Sequence, residues 1–298
     1  MTPPCSLEDD EPLSPGLTAQ LSCVIEATAR KPGNVHRGAD FADMGYLDFV
    51  LSAAAITSPL DHAAETGVGR AVHAAIAATR RLVETNTNLG LVLLLAPLAA
   101  VRRDEPLERG VERVLAETTI DDARWVYRAI RLAQPGGLGT VAEEDVAGEP
   151  TVALRSAMAL AADRDLVARQ YATGYRDVFE RALPLLSSGI DAKQPLEAAV
   201  IHCYLSVLAE LPDTHIARKH GLAVAGEVSR AADRVLDADW PSAHASRLSQ
   251  EFDRWLRDPS RRYNPGATAD LVAAALFAAL RDGKIKAPLD PHGWRLPT

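Results

Sequence analysis

Carboxylates, cations and a carboxamide gather in residues 26–44, EATARKPGNVHRGADFADM, which hold Glu26, Lys31, Asn34, Arg37, Asp40 and Asp43. A helical run carrying Glu26 must stop at Lys31-Pro32-Gly33, because proline disfavours helical backbone in the residue before it and glycine frees the turn. A polar loop follows, and a new apolar run begins near Tyr46. Loops carry chemistry on rigid scaffolds, and this mixture of groups suits one wall of a nucleotide site. Each residue also has an ordinary reading. Glu26 lies four residues before Arg30, the spacing of a helix-surface ion pair. Lys31 suits a helix C-terminus, and Asp40 and Asp43 suit caps for the next helix.

Four further segments carry groups of the same kind. In residues 84–90, ETNTNLG, Asn86 and Thr87 compete with helical backbone for hydrogen bonds and predict a break. Amides and hydroxyls at the helix start that follows suit phosphate or ribose oxygens. In residues 135–139, PGGLG, Gly136 and Gly137 can turn backbone amides inward around an anion, although glycines also end helices. No GK[ST] follows and no strand precedes, so neither a Walker loop nor a dinucleotide fingerprint is present. Asp213 in PDTH, with Lys219 downstream, and Asp270 in NPGATADL, with Asn264 upstream, each fall near a predicted helix start. Carboxylates there cap helices, and on several helix ends they also build magnesium sites. The eight histidines form neither HExxH nor a His-x-His pair, and no GxSxG element occurs.

The elements that must position these groups read as helices nearly throughout. Alanine and leucine recur at helical spacing over roughly 17–31, 46–58, 68–85, 89–101, 107–118, 122–133, 151–162, 165–186, 193–210, 215–235, 242–257 and 268–281. No segment alternates between hairpin signals and no period repeats, so a sheet and a solenoid are both disfavoured. The expectation is an all-α protein: a disordered acidic, proline-rich tail over 1–15 and a single helical domain over 16–298. A hydrophobic content of 47% suffices for one large core. A net charge of −8 excludes a general nucleic-acid binder, which rests on basic surface. Cys5, Cys23 and Cys203 form no CxxC pair, which fits a reducing cytoplasm. The apolar run 89–101 contains Pro97 and falls short of the roughly 20 residues that span a bilayer, so it reads as a buried helix.

Taken in order, KPGNV, Asp43-Met44, NTNLG, DTH with a downstream Lys-x-Gly, and NPGATADL resemble the triphosphoribosyl-dephospho-CoA synthase family. The resemblance covers about residues 17–283, with the last string its most specific element. It implies an all-helical enzyme that moves a triphosphoribosyl group from ATP to a ribose hydroxyl of 3′-dephospho-CoA, releasing adenine. The sequence departs from the family at NTNLG, where better-known members read NTHKG, and in the loop His36-Arg37-Gly38-Ala39-Asp40. That divergence leaves room for another acceptor, such as a precursor of a tetrahydromethanopterin-type one-carbon cofactor.

The resemblance also assigns roles. Glu26 and Asp43 are the candidate base and cation stabiliser, in either order. Asp213 and Asp270 are candidates for binding Mg2+. Lys31, Asn34, Arg37, Asn86, Thr87, Gly136, Gly137, Lys219 and Asn264 are candidates for contacting phosphate or ribose. Partners are then small nucleotides, with neither nucleic acid nor membrane, and a homo-oligomer stays open. A magnesium-dependent N-glycosidic hydrolase and a non-catalytic helical module are the competing classes, separated by whether adenine release needs an acceptor and whether any nucleotide binds.

Overall fold

Helices supply every regular element among the described residues, which are 12–136 and 143–286 of a computed structural model. In order they are α1 (Pro15–Thr28), α2 (Tyr46–Asp61), α3 (Ala63–Thr66), α4 (Val68–Arg80), α5 (Leu89–Ala99), α6 (Leu107–Ala116), α7 (Ile120–Ala133) and α8 (Leu154–Ala159). Then come α9 (Leu166–Thr173), a π-helical turn (Val178–Ala182), α10 (Leu183–Asp191), α11 (Leu196–Glu210) and α12 (Thr214–His220). The last three are α13 (Leu222–Leu236), α14 (Ala243–Arg257) and α15 (Gly266–Arg281). Residues 1–11 of the expected tail and Gly137 of the glycine cluster lie outside the described residues. Ser14 caps α1 through its side chain, which accepts from the N–H of Leu17.

The core forms around α5 and α15, both apolar on nearly every side and almost wholly buried. α15 packs against α1, α5, α10 and α11, while α1 packs on α2 and α4 on α7. Pro97 inside α5 has no N–H to donate to the carbonyl of Leu93. The Tyr171 hydroxyl donates to that carbonyl instead, at 2.6 Å, and Tyr175 donates to Leu94 at 2.7 Å. The buried carbonyls of a proline-bearing core helix are thereby satisfied from α9 and the turn after it. Among the described residues no helix is long and apolar enough to cross a membrane.

Two expected helices are each divided. The run 165–186 breaks at Gly174 and Tyr175, whose φ values are 65° and 63°, before the π-helical turn. The run 215–235 breaks at Gly221, with φ 92°, into α12 and α13. Apolar periodicity persists through both interruptions because it records which face is buried, not whether the backbone stays helical.

Candidate active site

The break after α1 folds tightly back on the helix. Lys31 turns under its end, and the ammonium sits 2.8 Å from the Glu26 carboxylate and donates to the carbonyls of Glu26 and Ala29. Lys31 is 0% and Glu26 4% exposed, so this is a buried pair. The surface pair between Glu26 and Arg30 does not form, because α1 ends at Thr28 and Arg30 leaves the helix face. Arg30 instead meets Glu197 of α11 at 2.9 Å, and Arg37 reaches the other oxygen of the same carboxylate at 2.8 Å. Glu197 is fully buried beneath both. The phosphate roles expected of Lys31 and Arg37 are corrected accordingly, for neither lines the cavity described next.

Glu26 opens onto a cavity of about 980 Å³. The starts of α5, α9, α12 and α15 all border it. Asp270, in the first turns of α15, faces it beside Glu26. Gly90 of α5 makes the room, since a Cβ there would lie 2.0 Å from a carboxylate oxygen of Asp270. No hydrogen-bond donor reaches Asp270 among the described residues. Burial first, then the charge of Glu26, pushes its carboxyl well above the ordinary carboxylate value.

Asp213 behaves otherwise. It is fully buried, caps α12 by accepting from the N–H of Ile216 at 3.0 Å, and accepts from the N–H and hydroxyl of Thr268 at 2.8 Å each. Both oxygens are spent on joining α12 to α15, and Asp213 does not line the cavity, so the metal role is withdrawn in favour of the cap. Among the described residues no group of three or more His, Cys, Asp or Glu side chains is placed to hold a metal.

Asp43 stands at the rim rather than the floor, exposed and paired with Arg262 at 2.8 Å. The second deep carboxylate is therefore Asp270. Asn34 lies buried on the cavity wall, held by Asn264. In the 84–90 loop, Asn86 caps α5 by accepting from the N–H of Leu89. Thr87 shares a 2.6 Å hydrogen bond with Ser52, and Asn88 donates to Thr79. All three also border the cavity, so one loop both fixes the start of α5 and lines the site. Gly136 faces Lys219 across the mouth, its notional Cβ 3.9 Å from the lysine stem.

Cations crowd the same wall. Arg218 pairs with Asp165 at 3.4 Å, and Arg169 with the buried Asp177 at 3.1 Å. Lys219 has no ion-pair partner among the described residues. Burial and then the neighbouring Arg218 press it below the ordinary lysine value, a strain that an incoming anion relieves. His215 also lines the cavity, its imidazole pushed down to about 3 by burial and then by the cations Lys219 and Arg218. Asp165, Arg169, Arg218 and His215 escaped the sequence reading. Asp165 and Arg169 lay inside a run taken as continuous helix. His215 enters the sequence reading only as part of the DTH segment, with no role of its own, and of the cations in THIARKH only Lys219 is nominated there.

A family profile described as "CitG: ATP:dephospho-CoA triphosphoribosyl transferase" matches residues 13–288. A curated Streptococcus mutans protein named "Probable 2-(5''-triphosphoribosyl)-3'-dephosphocoenzyme-A synthase" is 24% identical over 104 residues, 35% of this chain. The match spans only 34% of that relative's length. A structure titled "Crystal structure of putative triphosphoribosyl-dephospho-coA synthase from Archaeoglobus fulgidus" superposes with a TM-score of 0.61 at 26% identity. The superposition covers 78% of this chain and 98% of the other.

Proposed function

The chain belongs to the ATP:dephospho-CoA triphosphoribosyl transferase family, and on that premise we propose that it moves the triphosphoribosyl group of ATP onto a ribose hydroxyl of 3′-dephospho-CoA, releasing adenine. The observation that carries this reading is the pair of deep carboxylates, Glu26 and Asp270, on a cavity bordered by cations and helix starts. Cleavage of the bond from C1′ of the donor ribose to N9 of adenine develops positive charge at C1′, which carboxylates in a water-poor site stabilise. A carboxyl group raised by burial suits the role of acid. Asp270, whose carboxyl is raised above the ordinary value by burial and then by Glu26, is the candidate that gives a proton to the departing adenine. Glu26, its charge compensated by Lys31, takes the proton of the attacking hydroxyl as the new C1–O bond forms. Passage of that proton from Glu26 to Asp270 restores the starting state.

The triphosphate is read onto Lys219 and Arg218, in the last turn of α12, whose positive charge attracts it. Magnesium fits no protein cage in the described residues, so Mg2+ is read as a counter-ion carried by the triphosphate oxygens and water. No step is assigned to it. The free and buried Cys23 and Cys203 suit a reducing compartment, in keeping with a cytoplasmic enzyme.

The test is incubation with ATP, Mg2+ and 3′-dephospho-CoA, with products read by mass. Adenine and a triphosphoribosyl adduct should form together, and neither without the acceptor. Adenine release in water alone would identify a hydrolase, and an adduct formed only with a tetrahydromethanopterin-type precursor would move the acceptor.

A further inference from the structure

Donor and acceptor pose a problem of recognition. ATP and 3′-dephospho-CoA are both adenosine nucleotides with phosphates on the 5′ carbon, and both carry ribose hydroxyls. What separates them is the branched alkyl-amide arm that 3′-dephospho-CoA bears beyond its diphosphate. A site that must not transfer the group onto a second ATP has to read that arm.

The cavity has a wall of suitable chemistry among residues not yet used. Ile130 of α7, Met158 of α8, and Leu160 and Ala161 just after α8 all border it. None is sealed in the core. Ile130, Met158 and Ala161 are partly buried, and Leu160 is 47% exposed. Leu222, at the start of α13 and 71% exposed, borders the same cavity. Scattered exposed leucines need no explanation, but apolar side chains gathered on the border of one ligand cavity mark a place for an apolar ligand group.

The order of the walls matches the order of groups along that acceptor. Asp213, at the head of α12, holds Thr268 of α15 at 2.8 Å, and α15 carries Asp270. Arg218 of α12 meets Asp165, at the head of α9, at 3.4 Å, and Thr214 accepts from the N–H of Leu166 at 3.0 Å. α9 packs on α8, and α8 on α7. From the carboxylates outward the cavity thus presents the cations of α12 and α9, which are Arg218, Lys219 and Arg169, and then the apolar wall. A reacting ribose followed by a diphosphate and then a branched alkyl chain fits that succession. ATP ends at its phosphates.

We infer that the wall formed by Ile130, Met158, Leu160 and Ala161 receives the alkyl-amide arm of the acceptor and so decides which adenosine nucleotide is glycosylated. The inference rests on the transferase reading and assigns a subsite within it.

The experiment compares 3′-dephospho-CoA with ADP, which has the same adenosine and diphosphate without the arm, as acceptors at saturating ATP. Adducts are told apart by mass, and calorimetric binding of both compounds is measured beside kcat/KM. Wild type should favour 3′-dephospho-CoA by at least about 10-fold, since a single methylene in an apolar pocket is already worth about that much. Met158→Gln/Leu160→Gln, which makes the wall polar without adding charge, should lower this ratio about 10-fold or more and leave KM for ATP unchanged. A wild type indifferent to the arm, or a double variant with the wild-type ratio, overturns the inference. A double variant that loses affinity for ATP in parallel puts the donor's adenine on this wall and overturns it too. If the double variant does not fold, Leu160→Gln alone changes a half-exposed position and should lower the same ratio; an unlowered ratio overturns the inference equally. Absence of adduct with every acceptor defeats the transferase reading instead. The calorimetric preference for 3′-dephospho-CoA over ADP, and its loss in the variant, still decides the role of the wall.

Discussion

Glu26→Gln removes the carboxylate that faces the cavity, and it also leaves the Lys31 ammonium, 0% exposed, without its counter-charge. Breaking one side of a buried pair costs about 3–5 kcal/mol, because the remaining charge stays desolvated. Loss of activity in that variant alone therefore cannot be assigned to chemistry. Lys31→Met should melt early for the mirror-image reason, while the double variant Glu26→Gln/Lys31→Met should melt closer to wild type than either single one. Turnover should nevertheless stay down by roughly 100-fold or more, the scale of losing a positioned base. Thermal melts and adenine release measured on all four proteins check this, and a double variant keeping a tenth of wild-type turnover would remove Glu26 from the mechanism. Asp270 gives a different signature. Its folded form holds a proton that the unfolded chain releases near the ordinary value of 3.8. Stability is thus lost as pH rises from that value toward the raised one. Asp270→Asn stays neutral throughout, so its gain in melting temperature over wild type should grow as pH rises above the ordinary carboxylate value of 3.8. Turnover should fall by about 100-fold, and the alkaline limb of the wild-type rate profile, set by deprotonation of Asp270, should vanish. A melting difference independent of pH would show that Asp270 titrates normally.

At the scale of elements, α5 and α15 meet where Gly90 gives Asp270 its room. Glycine to alanine within a helix ordinarily stabilises by roughly 0.5–1 kcal/mol. At position 90 the added methyl would lie 2.0 Å from the Asp270 carboxylate oxygen, so the carboxyl must swing away. Gly90→Ala should therefore keep a melting temperature near wild type while turnover drops about 10-fold or more, toward the loss of the acid itself. Full activity in Gly90→Ala would detach Asp270 from the reaction. Helix positions were legible because alanine and leucine periodicity is a local property, and the same signal placed the polar motifs at helix breaks. What periodicity could not hold was contact between distant segments. Arg30 and Glu197 are separated by 167 positions, so four-residue spacing nominated the wrong partner for Glu26. Asp213 and Asp270 look alike as acids near helix starts. Only the packing of Thr268 against one and Gly90 against the other separates a cap from a candidate acid.

The whole molecule is acidic, with a net charge of −8, yet its cavity collects helix starts and cations. A polyanion is attracted there in spite of the molecular charge, through a local field that salt screens within about 10 Å at 0.1 M. ATP should raise the melting temperature, by roughly 2.7 kcal/mol of stabilisation at 100 times its dissociation constant. Lys219→Ala should weaken ATP binding about 10-fold at low salt, and less as salt rises. It should leave adenosine binding and the ligand-free melt alone, since Lys219 has no ion partner to lose among the described residues. Equal weakening for adenosine would mean that the lysine does not meet phosphate. Far-UV circular dichroism should show strong helix and negligible strand, against the 20–25% strand of ordinary domains.

A cavity of about 980 Å³ lies at the upper end of ligand pockets, about 300–1,000 Å³, and so admits both nucleotides at once. Kinetic order follows from that volume. Donor and acceptor should form a ternary complex before either product leaves, so double-reciprocal plots at several acceptor concentrations should intersect rather than run parallel. One displacement in such a complex inverts the anomeric carbon, turning the β-linked adenine of ATP into an α-linked ribosyl ether. A β-linked product would require two displacements and a ribosyl group held covalently by the enzyme, and proton coupling constants of the purified adduct distinguish the two outcomes.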